Sequence, residues 1–119
     1  MRHLNKGRKF GRTRGDRKLF LKSLIHNLIL NKKIETTEAR AKELKTKVDK
    51  LVTLAKKQNL ASYRLLISRI GEKAAKELFY NIAPKLEHRK GGYTRIIKSP
   101  RARKRDAAPL AIIEFVLEK

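Results

Sequence analysis

The chain reads as an α+β domain in two layers: a helix, a short strand, three further helices and two final strands. Three observations predict this. Through residue 82 the apolar side chains recur every third or fourth position, the helical period. Beyond Pro84 they fall into short β-branched segments bounded by Gly91, Gly92, Pro100 and Pro109, the pattern of strands. Lysine and arginine, finally, concentrate +16 of the net charge of +21 in two blocks, 1–22 and 85–105. They mark a basic N-terminal arm at 1–15 and a long basic hairpin loop at 99–108, both attached to one compact domain at 16–119. A chain of 119 residues suits a single domain of this kind.

The arm, MRHLNKGRKFGRTRG, has three glycines, six bases and little that could bury itself, so it is expected to be disordered in isolation. Asp16 is read as the N-cap of the first helix. Phe20, Leu21, Leu24, Ile25 and Leu28 form its apolar face, which Ile29 and Leu30 widen. So broad a stripe suggests a central element, and Asn31 with Lys32 and Lys33 suits its negative end. Residues 34–37, two of them threonines, are too few for a helix and read as a brief strand. Thr37 or Thr36 caps the second helix, whose stripe Ala41, Leu44, Val48, Leu51 and Ala55 alternates steps of three and four. Glu38–Lys42 and Glu43–Lys47 are spaced as i,i+4 pairs on its exposed side.

Asn59 can cap a third helix that turns Tyr63, Leu66, Ile67 and Ile70 inward and ends at Gly71. A fourth helix over 72–82 buries Ala75, Leu78, Phe79 and Ile82, and Pro84 stops it. Strands follow at 93–98 and 110–117. In the second, Ala111, Ile113, Phe115 and Leu117 make one apolar face, while Ile112, Glu114 and Val116 lie on a partly covered reverse.

Composition narrows the function. The formal net charge is +21, and residues 1–22 and 85–105 each contribute +8 of it. Same-sign charge at that density repels itself unless a polyanion neutralises it, and nucleic-acid phosphate is the first candidate. Charges meant for solubility alone would be interspersed and of both signs. The absence of cysteine excludes disulfides and thiolate metal sites. No apolar run approaches a membrane span and no secretory core occurs near the start, so a cytoplasmic, soluble protein without a membrane partner is expected. His3, His26 and His88 lack ligand spacing, and no phosphate-binding glycine loop is present. No catalytic constellation, metal, cofactor or small-molecule substrate is expected.

The residues expected to meet nucleic acid follow from the two blocks. In the arm and the first helical turns they are Arg2, His3, Lys6, Arg8, Lys9, Arg12, Arg14, Arg17 and Lys18. Around the hairpin they are Arg89, Lys90, Arg95, Lys98, Arg101, Arg103, Lys104 and Arg105. Each phosphate contact by such a group releases condensed counterions, and arginine can also fork onto phosphate oxygens or stack on a base. Gly7, Gly11 and Gly15 would let the arm thread between RNA helices. Phe10 is expected either to stack on a base or to enter an apolar slot, and Tyr93 to pack against the domain. A DNA-binding helix-turn-helix over 37–70 is the alternative. It is disfavoured because Tyr63 to Ile70 spends its apolar face on the core and offers only Arg64 and Arg69 as basic readers.

Six segments together resemble the bacterial large-subunit ribosomal protein seventeen family. They are MRH at 1–3, GRKFGRT at 7–13, IETTEARAKEL at 34–44, LVTLAKK at 51–57, RKGGYTRI at 89–96 and DAAPLAIIE at 106–114. The resemblance implies a structural component of the large subunit that binds its main, 23S-type ribosomal RNA near the nascent-peptide tunnel exit, among neighbouring ribosomal proteins. It implies no catalytic residues. Two positions depart from the family's pattern. Asp16 stands where a histidine is usual, favouring the helix cap over an RNA contact, and Arg105 stands where a glycine is usual, which adds a cation to the loop.

Overall fold

A computed structural model describes Phe10 and residues 12–117. Four helices accompany a three-stranded antiparallel sheet. The order along the chain is α1 (Arg14–Asn31), β1 (Lys33–Thr37), α2 (Glu38–Ala55), α3 (Leu60–Ile70), α4 (Glu72–Glu77), β2 (Thr94–Ala102) and β3 (Pro109–Phe115). α1 and α2 touch the strands, while α3 and α4 pack against those helices. The predicted class and succession of elements are therefore present.

The strand last in sequence lies in the middle of the sheet, β1–β3–β2. Ile113 stands opposite Ile34 of β1 and Ile96 of β2. Together with Ala111 and Phe115 it turns toward the helices and is buried. Ile112 faces the other way and is half-buried, as its mixed apolar and acidic neighbours suggest. β3 ends at Phe115, short of the expected residue 117. Its pairing partners run out there: the Phe115 amide donates to the Lys32 carbonyl and the Val116 amide to that of Tyr93.

The centre of the domain is α2. Ala41, Leu44, Val48, Leu51 and Ala55 are all buried, joined by Val52. α1, which its broad stripe suggested as central, buries only Ile25, Leu28 and Ile29, all in its C-terminal half. α1 also starts at Arg14, two residues before the expected point. Thr13, not Asp16, is the cap, and its Oγ1 accepts from the Asp16 amide. Asp16 thereby falls in the first turn, where its carboxylate faces the positive helix end. Gly15 and Arg14, read as arm, belong to the helix.

Thr37 caps α2 and Asn59 caps α3, as expected. In α3 the inward side is Ser62, Leu66 and Ile70 with Tyr63 half-buried, while Ile67 is exposed, contrary to expectation. The helix carries apolar residues on nearly every side, and packing selects the row at steps of four. Gly71 ends it at φ +88°, a backbone setting that disfavours a Cβ.

Pro84 does not stop the fourth helix as expected. α4 widens into a π-helical turn over Leu78–Ile82 and then tightens into a 3-10 turn over Ala83–Leu86 that contains Pro84. Proline is tolerated in a first turn, where its missing N–H would be unpaired anyway. The extra turn buries Ala83 and Leu86.

Polar ties lock helix to sheet. Thr94, buried on β2, donates to Asp49 of α2 at 3.1 Å, and the Lys45 ammonium donates to the Thr94 carbonyl. At the C-cap of α2, Lys56 donates to the Arg89 carbonyl and, at 3.2 Å, to the hydroxyl of Tyr93. Tyr93 is thus a packing residue, as expected.

The hairpin departs most from expectation. β2 continues through Pro100 to Ala102, so the connection is residues 103–108 and not the ten of 99–108. β2 is an edge strand with a register irregularity between Lys98 and Ala102, the setting in which a strand accepts proline. The turn is tight: the Arg103 amide donates to the Ala108 carbonyl, and the Ala107 amide to that of Arg103.

Candidate nucleic-acid interface

The two basic blocks, far apart in sequence, meet at the N-terminal end of α2. Arg12 at the arm's root lays its guanidinium over the Phe20 ring, 3.9 Å from the centroid, and donates to the Phe10 carbonyl at 3.0 Å. Phe10 meets Phe20 edge-on at 5.5 Å. Of its two expected roles the structure shows the apolar one, a ring packed on α1. Arg40 of α2 approaches the same Phe20 ring at 4.8 Å. Burial pushes the Arg40 pKa below its ordinary value, and the charges of Arg103 in the hairpin and Arg12 lower it further. Three guanidiniums from arm, helix and hairpin therefore share one field.

Arg40 was absent from the residues chosen on sequence. Its signal was positional: a cation in the first turn of a helix opposes the helix dipole, a placement that needs a compensating anion. Within the described residues Phe20 offers it only a π-face.

The hairpin cations are oriented by carboxylates. Arg95 donates to Glu114 at 2.7 Å, directly across the β2–β3 pair. Arg101 reaches across β3 to Glu35 of β1 at 2.6 Å, so its pKa is raised. Lys98 lies on the opposite face, 3.8 Å from Glu38. Arg103 forks onto Asp106 at 3.1 and 2.5 Å. Exposed pairs of this type contribute little to stability and are readily exchanged for phosphate. They hold the guanidiniums at fixed places on a rigid hairpin.

The other expected residues are distributed more loosely. Lys104 and Arg105 stand exposed at the tip, and Lys90 is exposed in the glycine loop. Arg89 is half-buried, and its Nε has no hydrogen-bond partner among the described residues. Arg14 and Lys18 are exposed on α1 and Arg17 is half-buried there. Arg2, His3, Lys6, Arg8 and Lys9, with the expectation of a disordered arm, lie outside the described residues. In α3, Arg64 and Arg69 are exposed but Ser62 is buried, so the start of that helix presents few readers for a DNA groove.

The Arg103–Asp106 contact carries a pH prediction. Hydrogen bonding from Arg103, then from the Ala108 amide, holds the Asp106 carboxyl below its ordinary value of 3.8. A lowered carboxylate pKa contributes stability that is complete above the unfolded value and lost as pH falls through the folded one. Carboxyl-carbon NMR is expected to place the Asp106 midpoint below 3.8, and Arg103→Ala to bring it back toward that value. An unchanged midpoint in the variant would remove Arg103 as the cause.

Among the described residues no group of three or more potential ligands could hold a metal ion. Nor, among the described residues, is any helix long and apolar enough to cross a membrane. A small α+β body that gathers cationic side chains from two appendages onto one end defines a charge-presenting scaffold.

Comparison with known proteins identifies its family. Residues 20–116 match the model of the family described as ribosomal protein L17. The large ribosomal subunit protein bL17 of Hydrogenobaculum sp. (strain Y04AAS1) is 48% identical over 117 residues, covering 98% of this chain and 99% of its own. Those of Wolinella succinogenes and Pelobacter propionicus are 47% and 43% identical, covering 98% and 100% of this chain. The chain belongs to the ribosomal protein L17 family. It is a structural ribosomal protein, not an enzyme.

Proposed function

We propose that this protein is a structural constituent of the large ribosomal subunit that binds large-subunit ribosomal RNA through its phosphate backbone. It stabilises the RNA fold near the nascent-peptide tunnel exit, beside neighbouring large-subunit proteins. The observation that carries the reading is that Arg12 and Arg40 both lie on the Phe20 ring, with Arg103 of the hairpin near enough for its charge to act on Arg40. Such a concentration of like charge is unfavourable in the free protein and favourable against a polyanion.

Arg2, His3, Lys6, Arg8 and Lys9 belong to the proposed RNA contacts, together with the hairpin residues from Arg95 to Arg105. The contacts position the protein on folded RNA and read few bases. The placement near the tunnel exit and among other proteins rests on family membership.

The test is binding of the full chain to large-subunit ribosomal RNA across a salt series. Affinity is expected to fall steeply, with log K against log salt losing about 0.7–0.9 per phosphate contact. In cells the chain should co-sediment with large subunits and be stripped by high salt. Affinity that is flat from low to moderate salt would overturn the reading.

A further inference from the structure

A further cationic surface adjoins the foot of the arm, and no hairpin residue lines it. α1, α2 and the end of α3 enclose an open groove of about 520 Å³. Its rim carries Lys18 and Lys22 of α1, Lys47 and Lys50 of α2, and Arg69 of α3. All five are exposed, and none of the residues lining the groove is acidic. Its floor is aliphatic, made by Leu21, Ile25, Leu51 and Ile70. We infer that this groove is a third RNA-binding site, which takes a stretch of phosphodiester backbone.

The inference rests on the reading of the chain as a ribosomal RNA-binding protein, and extends it to a helical face that charge blocks in the sequence do not reveal. Lys22, Lys47, Lys50 and Arg69 are scattered over three helices, and only packing brings them to one rim. Lysine ammoniums on long stems act as mobile point charges and suit phosphates that need no fixed fork. One end of the groove is lined by Gly15 and Lys18, in the first turns of α1. The floor contains no aromatic ring, so base stacking of the kind used by single-strand readers is absent and recognition is sequence-independent. Leu19, 68% exposed beside the rim, gives ribose faces an apolar rest. A protein segment in the same place would have to be strongly acidic to match five cations.

The test uses the full chain with Lys22, Lys47, Lys50 and Arg69 all changed to Ala, and circular dichroism to verify the fold. Binding to protein-free large-subunit ribosomal RNA is measured over a salt series, beside a variant lacking the hairpin cations Arg101, Arg103, Lys104 and Arg105. The groove variant is expected to flatten the log–log salt slope by about 3, near 0.7 for each lost contact. Acetylation footprinting should show Lys22, Lys47 and Lys50 protected in the RNA complex. A wild-type slope with unprotected lysines, while the hairpin variant loses affinity, overturns this inference and leaves the proposed function standing. Protection found only in assembled subunits, with cross-links to protein and none to RNA, assigns the groove to a protein and also overturns it. If the unaltered chain itself shows no salt-dependent RNA binding, both readings fail together.

Discussion

Replacing Arg12, Arg40 and Arg103 together by Ala is expected to flatten the salt dependence of ribosomal RNA binding by about 2, on the basis of some 0.7–0.9 per phosphate contact. Between 50 and 200 mM salt the affinity of the native chain should then fall roughly twenty-fold more than that of the variant. Arg12 and Arg40 share the Phe20 ring and the charges of Arg12 and Arg103 both act on Arg40, so the triple loss removes the point at which the cationic segments influence one another. The free protein should respond differently. Burial and two neighbouring cations disfavour the Arg40 charge, while the Phe20 ring favours it, so Arg40→Gln alone should shift stability by no more than about 0.5 kcal/mol. Weaker RNA binding with unchanged folding is the signature of a residue kept for its partner. The matching Arg→Lys triple variant separates charge from shape, since lysine keeps the phosphate attraction but loses the planar fork and the ring stacking. It should retain the slope and lose part of the affinity at every salt concentration. If all three Ala replacements leave the slope unchanged, the cluster does not face RNA.

How far the sequence exposes this architecture can be judged from individual residues. The α2 stripe was legible because its small and aliphatic residues leave one buried face and one charged face. α3 was less legible: Leu60, Leu65 and Ile67 are exposed although apolar, so the period does not single out the inward row that contains Ser62. The start of α1 was hidden by composition. Thr13, Arg14 and Gly15 read as flexible arm and Asp16 as the cap, yet a threonine cap with an acid three residues on is a helix-start pattern. Pro100 hid the length of β2, because a proline reads as a boundary until the strand is known to lie at an edge. For the candidate site, the blocks were plain from charge alone. Their meeting at Arg40 and the gathering of lysines along α1 and α2 depend on tertiary packing and could not be read locally.

Ile113→Ala is expected to give the largest loss of stability, about 2–5 kcal/mol against the 5–15 kcal/mol typical of a domain. Ile113 is fully buried at the centre of the middle strand, between Ile34 and Ile96 and toward the helices. Truncation leaves a cavity where sheet and helical layer meet, and neighbours held on three sides can collapse into it only partly. Urea unfolding should show a lower midpoint with an unchanged slope, which distinguishes lost packing from a changed unfolded state. Ile112→Ala is the matched control, one residue away on the half-buried reverse face, and should cost clearly less. The consequence for RNA follows from the architecture: β3 joins the hairpin to β1 and, through it, to the start of α2. RNA that binds only the folded chain should restore the melting temperature of Ile113→Ala as its concentration rises. A cost below about 1 kcal/mol would mean that Ile113 is not the point at which the two layers are joined.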